Sequence, residues 1–199
     1  MSLSSYAKSR RTSKSKHRVA TALVAAFALI AGLLVTVAVG IGPSSAATAA
    51  TGGVDISAGG PAAAPFVADE DFTGGATSDT THAITTTGLT NPAPQSVYQH
   101  NRYGNFTYTI PGLTPGGSYT VRLHFAEEYW TTAGSRIFNV LINGTQVLTN
   151  FDILATAGAE YTAVIEPFTA TASSTGTITI TFVTVKDNAQ INGIEILPT

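Results

Sequence analysis

Two glutamates stand side by side at 127 and 128, followed directly by Tyr129 and by Trp130, the one tryptophan of the chain. Paired carboxylates beside aromatics could hydrolyse a glycosidic bond, one acting as acid and the other as base or nucleophile. The preceding YTVRLHFA alternates apolar and polar residues, the pattern of a half-buried strand. Neighbours on a strand point to opposite faces, so these two groups are not placed to converge on one bond, which needs carboxyls about 5–9.5 Å apart. Glu127 keeps the parity of Val121, Leu123 and Phe125, so its carboxylate is expected to turn back at the sheet rim and accept backbone N–H groups of a neighbouring loop. Glu128 is expected to be solvated.

Other catalytic constellations fare no better. There is no G-x-S-x-G elbow, and of His82, His100 and His124 only His124 falls in a clear strand, on its polar face. Spacings such as H-E-x-x-H are absent. No catalytic residue and no cofactor is expected; Asp69-Glu70-Asp71 could help ligate a structural calcium with carbonyl oxygens, against the simpler reading of a solvated acidic loop. Asn105-Phe106-Thr107 and Asn143-Gly144-Thr145 match the glycosylation sequon, but each sits on a strand or tight turn.

The aromatics point elsewhere. Tyr103 follows the polar run QHNR and precedes a glycine, while Tyr129 and Trp130 follow a strand end and precede TTAGS, which places all three on loops. Loop aromatics at the end of a rigid sandwich are suited to stacking on a sugar ring, whose axial C–H groups form an apolar face, with a carboxylate nearby accepting hydroxyl hydrogens. Each could equally fold over the edge of the core.

The elements that would position them are strands. After the first fifty residues the pattern has period two: NFTYTI, YTVRLHFA, IFNVLIN, TITITFV and INGIEIL are the clearest strands, with VDIS, PFVA, SVYQ, QVLTNFDI and YTAVIEPF as shorter candidates. Asn143-Gly144 has the residues of a type I′ hairpin turn, and PGLTPGGS those of a second turn. The expected fold is all-β, a two-sheet antiparallel sandwich of jelly-roll kind.

Charge and targeting bound the partners. Six of the ten basic residues lie between Lys8 and Arg18; the rest of the chain sets Arg102, Arg122, Arg136 and Lys186 against all twelve acidic residues, a net charge of −8. Nucleic acids and anionic membrane surfaces need a basic face, so neither is an expected partner. The uncharged stretch from Val19 to Ile41, followed by small residues at Ser44-Ser45-Ala46 and Ala47-Thr48-Ala49, reads as an export signal, cleaved or retained as a membrane anchor; Arg10-Arg11 lacks the apolar residues of a twin-arginine signal. The expected organisation is therefore a basic, hydrophobic leader over 1–46, a linker over 47–53, and a secreted or surface-anchored domain over 54–199. With no cysteine, that domain relies on its core.

The order and spacing of YQ-x-x-RYG, LHFAE-x-Y, FxVxxNG and the closing INGIEI resemble the malectin family of carbohydrate-binding domains, over nearly all of residues 54–199. The resemblance implies a non-catalytic β-sandwich that binds glucose-containing oligo- or polysaccharide. By position it assigns ligand contact to Tyr103, Tyr129, Trp130 and Asp187. One departure stands out: a further tyrosine of the family lectin falls where SDTTH supplies Thr80 or Thr81. Malectin-like domains of plant receptor kinases bind peptides, so an extracellular peptide- or protein-interaction domain using the same loops is the alternative.

Overall fold

The computed structural model describes residues 52–199. The expected leader and all but the last two residues of the linker lie outside them. Ten strands form two antiparallel sheets. The first sheet has the order β1 (Val54–Ser57), β10 (Gly193–Pro198), β4 (Ser118–Ala126), β7 (Ala163–Thr171). The second has the order β2 (Phe72–Asp79), β3 (His100–Ile110), β8 (Ile178–Lys186), β5 (Ile137–Ile142), β6 (Thr145–Phe151), with β9 (Ala189–Ile191) also paired to β3.

Period-two alternation puts one set of side chains from each sheet into a shared core. Phe106, Tyr108, Ile110, Val121, Leu123, Phe125, Phe138, Val140, Ile142, Ile178, Ile180, Phe182, Ile194 and Ile196 are all no more than 4% exposed, as their parity in the sequence requires. The β5–β6 hairpin turns at Asn143 and Gly144, with φ of 49° and 79°, the positive values a type I′ turn needs.

Several local expectations are corrected. SVYQ is not a strand: Gln95–Tyr98 forms a short helix, α1, with Pro94 at its N-cap position (φ −53°, ψ 148°). QVLTNFDI ends its strand at Phe151; Asp152 then caps α2 (Ile153–Ala157) by accepting from the Ala155 N–H at 2.9 Å. PFVA makes only isolated bridges, at Phe66 and Val67. INGIEIL splits at Asn192, where the chain leaves the second sheet for the first.

His124 is on the outer face of its strand as expected, yet it is fully buried. Phe66 and α1 cover that face: Phe66 meets the His124 ring edge-on at 5.8 Å, and the Tyr98 hydroxyl lies 2.8 Å from Nδ1. Nε2 is 2.9 Å from Glu195, which also pairs with Arg122 at 2.5 Å. Burial lowers the His124 pKa against the raising effect of Glu195. Nor is the acidic loop simply solvated, because Asp69 takes the Arg102 guanidinium at 2.5 Å and the Tyr108 hydroxyl at 2.7 Å.

The backbone of β3 is approached closely by Gly59, at φ 72°; a Cβ there would stand 2.1 Å from the Asn101 carbonyl oxygen. Gly59→Ala is therefore expected to cost more than about 1 kcal/mol in a denaturant melt. Because Asn101 lies two residues before Tyr103 in β3, the same change is expected to displace Tyr103.

Candidate functional site

The end of β4 sets the geometry. Glu127 continues the inward parity of Leu123 and Phe125 and is 1% exposed. Its Oε1 accepts from the backbone N–H groups of Tyr129 at 3.0 Å and Trp130 at 3.1 Å, the turn-back that its parity predicts. Arg136 completes this arrangement, donating from Nε to Oε2 at 2.7 Å and from Nη2 to Oε1 at 3.1 Å. Its Nη1 reaches the Asn188 carbonyl at 2.8 Å and lies 3.4 Å from Asp187 Oδ2. One buried ion pair thus ties the β4 exit, the β5 entry and the 187–188 loop together.

Sequence reading missed Arg136, although it shares the inward parity of Phe138, Val140 and Ile142. An arginine in an inward register, nine residues after an inward glutamate, is the signal that could have found it.

Asp187 reaches the rim through a break in a strand. β8 pairs with residues 106–110 of β3 and β9 with residues 102–104. Asn105 faces the gap, and its Oδ1 accepts from the Thr184 N–H at 2.8 Å. Across that gap Asp187 takes φ 57°, a left-handed conformation that Asp tolerates better than most residues. Oδ2 accepts from Trp130 Nε1 at 2.8 Å, which fixes the plane of the indole. Tyr129 meets Trp130 edge-on, with centroids 4.9 Å apart at 87°, and is 73% exposed.

Tyr103 lies in β3, opposite Ala76 and Gln190, and not on a loop as expected. It still faces the same place. Tyr103, Tyr129, Trp130 and Asp187 all line one cavity of about 450 Å³. Asp79 and Thr80, from the end of β2 and just beyond, line it too. A second cavity, about 560 Å³, lies by the far end of β3 and has no aromatic lining. It is larger but lacks a stacking surface.

Glu128 corrects the sequence reading most. It is half-buried and lines the cavity, accepting from Asn101 Nδ2 at 3.2 Å and from Asn192 Nδ2 at 2.7 Å. Burial pushes its carboxyl up to about 7, against the lowering effect of those two amides. Asn192, fully buried at the crossing between sheets, also accepts from the Ala126 N–H at 2.8 Å. Strand parity indicates that Glu128 points away from the core, but not that the β3 start would cover that face.

His124 is buried with Tyr98 and Glu195, and among the described residues no three His, Cys, Asp or Glu side chains are grouped to hold a metal ion. Arg102, Arg122 and Arg136 are each paired to a carboxylate, so they present no basic face.

A two-sheet sandwich that gathers aromatics and a carboxylate around a cavity at one end defines a β-sandwich ligand-binding module. The chain belongs to the malectin domain family, whose profile matches residues 52–194. It is 35% identical over 107 residues to the kinesin-like protein KIN-14E of Oryza sativa subsp. japonica, a match covering 50% of this chain and 10% of that protein. It is 36% identical over 70 residues to Malectin-B of Xenopus laevis, covering 34% of this chain and 25% of that one. These matches therefore span a quarter or less of each relative's length. The ANX2 ectodomain from Arabidopsis thaliana has the same fold, with a TM-score of 0.67 at 18% identity over 73% of this chain and 49% of that one.

Proposed function

We propose that this domain is a non-catalytic carbohydrate-binding module, secreted or held at the cell surface, that recognises glucose-containing oligo- or polysaccharide. The observation that carries the reading is the convergence of Tyr103, Tyr129, Trp130 and Asp187 on one cavity from separate segments of the chain. The aromatic rings offer π faces to the C–H face of a pyranose, and Asp187 accepts hydroxyl hydrogens that fix its orientation. The Glu127–Arg136 pair holds these groups in place before the ligand arrives, which lowers the ordering cost of binding. Glu127 is spent on that task, with both oxygens committed to Arg136 and two backbone N–H groups.

A shallow disaccharide site of this kind binds with a Kd of ~10 μM to ~1 mM, or about 4–7 kcal/mol. Calorimetric titration with maltose, cellobiose and laminaribiose is expected to give saturable binding of at least one, without release of glucose. Indifference to all glucans combined with specific retention of a peptide partner would favour the protein-interaction alternative. Turnover of any disaccharide by pure protein, lost on changing Asp187, would contradict the non-catalytic reading.

A further inference from the structure

Glu128 is the cavity group that the stacking site leaves unused. Its surroundings supply less hydrogen bonding than a carboxylate accepts. The Asn192 amide has two N–H hydrogens, yet three acceptors lie within reach: the Tyr98 carbonyl at 2.9 Å, the His100 carbonyl at 2.8 Å and Glu128 Oε1 at 2.7 Å. Two backbone carbonyls therefore compete with Glu128 for one donor group. On the other oxygen, Asn101 donates at a long 3.2 Å. That asparagine is 3% exposed and lines the cavity, and its own Oδ1 has no partner. Its amide is held by Glu128 alone, so its orientation follows the state of that carboxyl.

An under-coordinated carboxyl at the wall of a cavity calls for donors from the ligand. We propose that Glu128 is a specificity-determining residue of this cavity: its carboxylate, steadied by Asn101, accepts hydroxyl hydrogens of a neutral sugar and discriminates against sugars bearing a carboxylate. This rests on the sugar-binding reading of the same site. Asp79 and Asp187 line the cavity with it, while the one cationic lining residue, Arg136, is already paired to Glu127, so a uronate finds repulsion and no free counter-charge. Hydroxyl hydrogens of a neutral sugar supply donors to that lining without adding negative charge.

The charge of Glu128 then controls affinity. Facing it are Glu127, which raises its pKa, and Arg136, which lowers it, from the segment between β4 and β5. Asn101 and Asn192 approach from β3 and the β9–β10 crossing; Asp79 and Asp187 share the cavity. Tyr161, just before β7, feels the Glu128 charge, and His100 has its ring bonded to the Ser96 carbonyl. In the free domain burial pushes the Glu128 carboxyl up to about 7. Hydroxyl donors favour the ionised form, so ligand binding lowers this pKa, and affinity is present at pH 8 and declines as pH falls through 7.

The test is calorimetry at pH 8 and pH 5.5 on wild type and Glu128→Gln, using the tightest of maltose, cellobiose and laminaribiose and the analogue with glucuronate in place of one glucose. Wild type is expected to bind the neutral disaccharide about tenfold more weakly at pH 5.5, one unit of ligand-linked pKa shift being a factor of ten. Glu128→Gln is expected to bind it weakly at both pH values and to show a smaller preference over the uronate than wild type at pH 8, Asp79 and Asp187 keeping the remainder. Wild-type binding that is flat with pH, or a pH profile retained in Glu128→Gln, overturns the role of Glu128 and leaves sugar binding standing. Absence of binding by wild type to all four sugars at both pH values overturns sugar binding and this proposal with it. Carboxyl-carbon NMR of Glu128 in the wild type gives a second readout, a downward shift of its midpoint on adding the disaccharide.

Discussion

Arg136→Ala is expected to destabilise the domain by about 3–5 kcal/mol, because it leaves the Glu127 carboxylate buried without its guanidinium partner. For a domain near 150 residues that lowers Tm by roughly 6–20 °C. The cost is that of an orphaned charge and not the net worth of the pair: Glu127 is 1% exposed and would keep only the Tyr129 and Trp130 N–H groups. Removing both charges together, as in Glu127→Gln with Arg136→Met, is therefore expected to cost much less than the sum of the single changes. Paired thermal and denaturant melts of wild type, Glu127→Gln, Arg136→Met and the double variant measure this coupling directly. Where Arg136→Ala still folds, sugar affinity is expected to fall as well, since Arg136 also holds the Asn188 carbonyl and sits beside Asp187.

Trp130→Ala is expected to separate binding from stability. The ring is only half-buried, so its loss has a small effect on the melt, whereas the sugar loses its main apolar wall. An affinity drop of roughly ten- to a hundredfold follows from losing an aromatic contact worth about 1.5–3 kcal/mol. Trp130→Phe keeps a π face but removes the Nε1–H that donates to Asp187 at 2.8 Å. It is expected to fall between wild type and Trp130→Ala, with the residual loss reporting how far Asp187 needs that bond to stay oriented. Calorimetry with the best glucose disaccharide, beside a melt of each variant, checks both halves.

The fold was legible where burial imposes a period. Phe106 to Ile110, Val121 to Phe125 and Ile178 to Phe182 announce their strands because one face of each fills the core. Glu127 was legible for the same reason, as a charged residue in an inward register that must find donors. β2 was not, because all eight of its residues are exposed, and Gly74 and Gly75 interrupt its pairing with β3 by a bulge at positive φ. Its existence rests on the hydrogen bonds of its neighbour, which leave no trace in apolar alternation. α1 was lost similarly, through a β-branched, aromatic segment that tertiary packing turns into a helical cover for His124.

The site divides along the same line. Tyr103, Tyr129 and Trp130 stood out in the sequence as polar-flanked aromatics, whereas Asp187 was assigned by resemblance alone, since nothing in local pattern brings residue 187 beside residue 130. Their proximity depends on the strand break that extrudes Asp187 between β8 and β9. Glu128 was misread because parity reports which face a residue takes and is silent on what covers it. In this domain Asn101 and Asn192 cover it, from β3 and from the crossing between the sheets.

The single tryptophan makes the central claim directly measurable, because its indole N–H gives one unambiguous signal in a proton–nitrogen spectrum. Titration with the glucose disaccharide that binds by calorimetry is expected to move that signal along a saturating curve with the calorimetric Kd, as the sugar settles on the ring that Asp187 holds. An indole signal that stays fixed while the same sugar binds would place the ligand elsewhere and contradict the account.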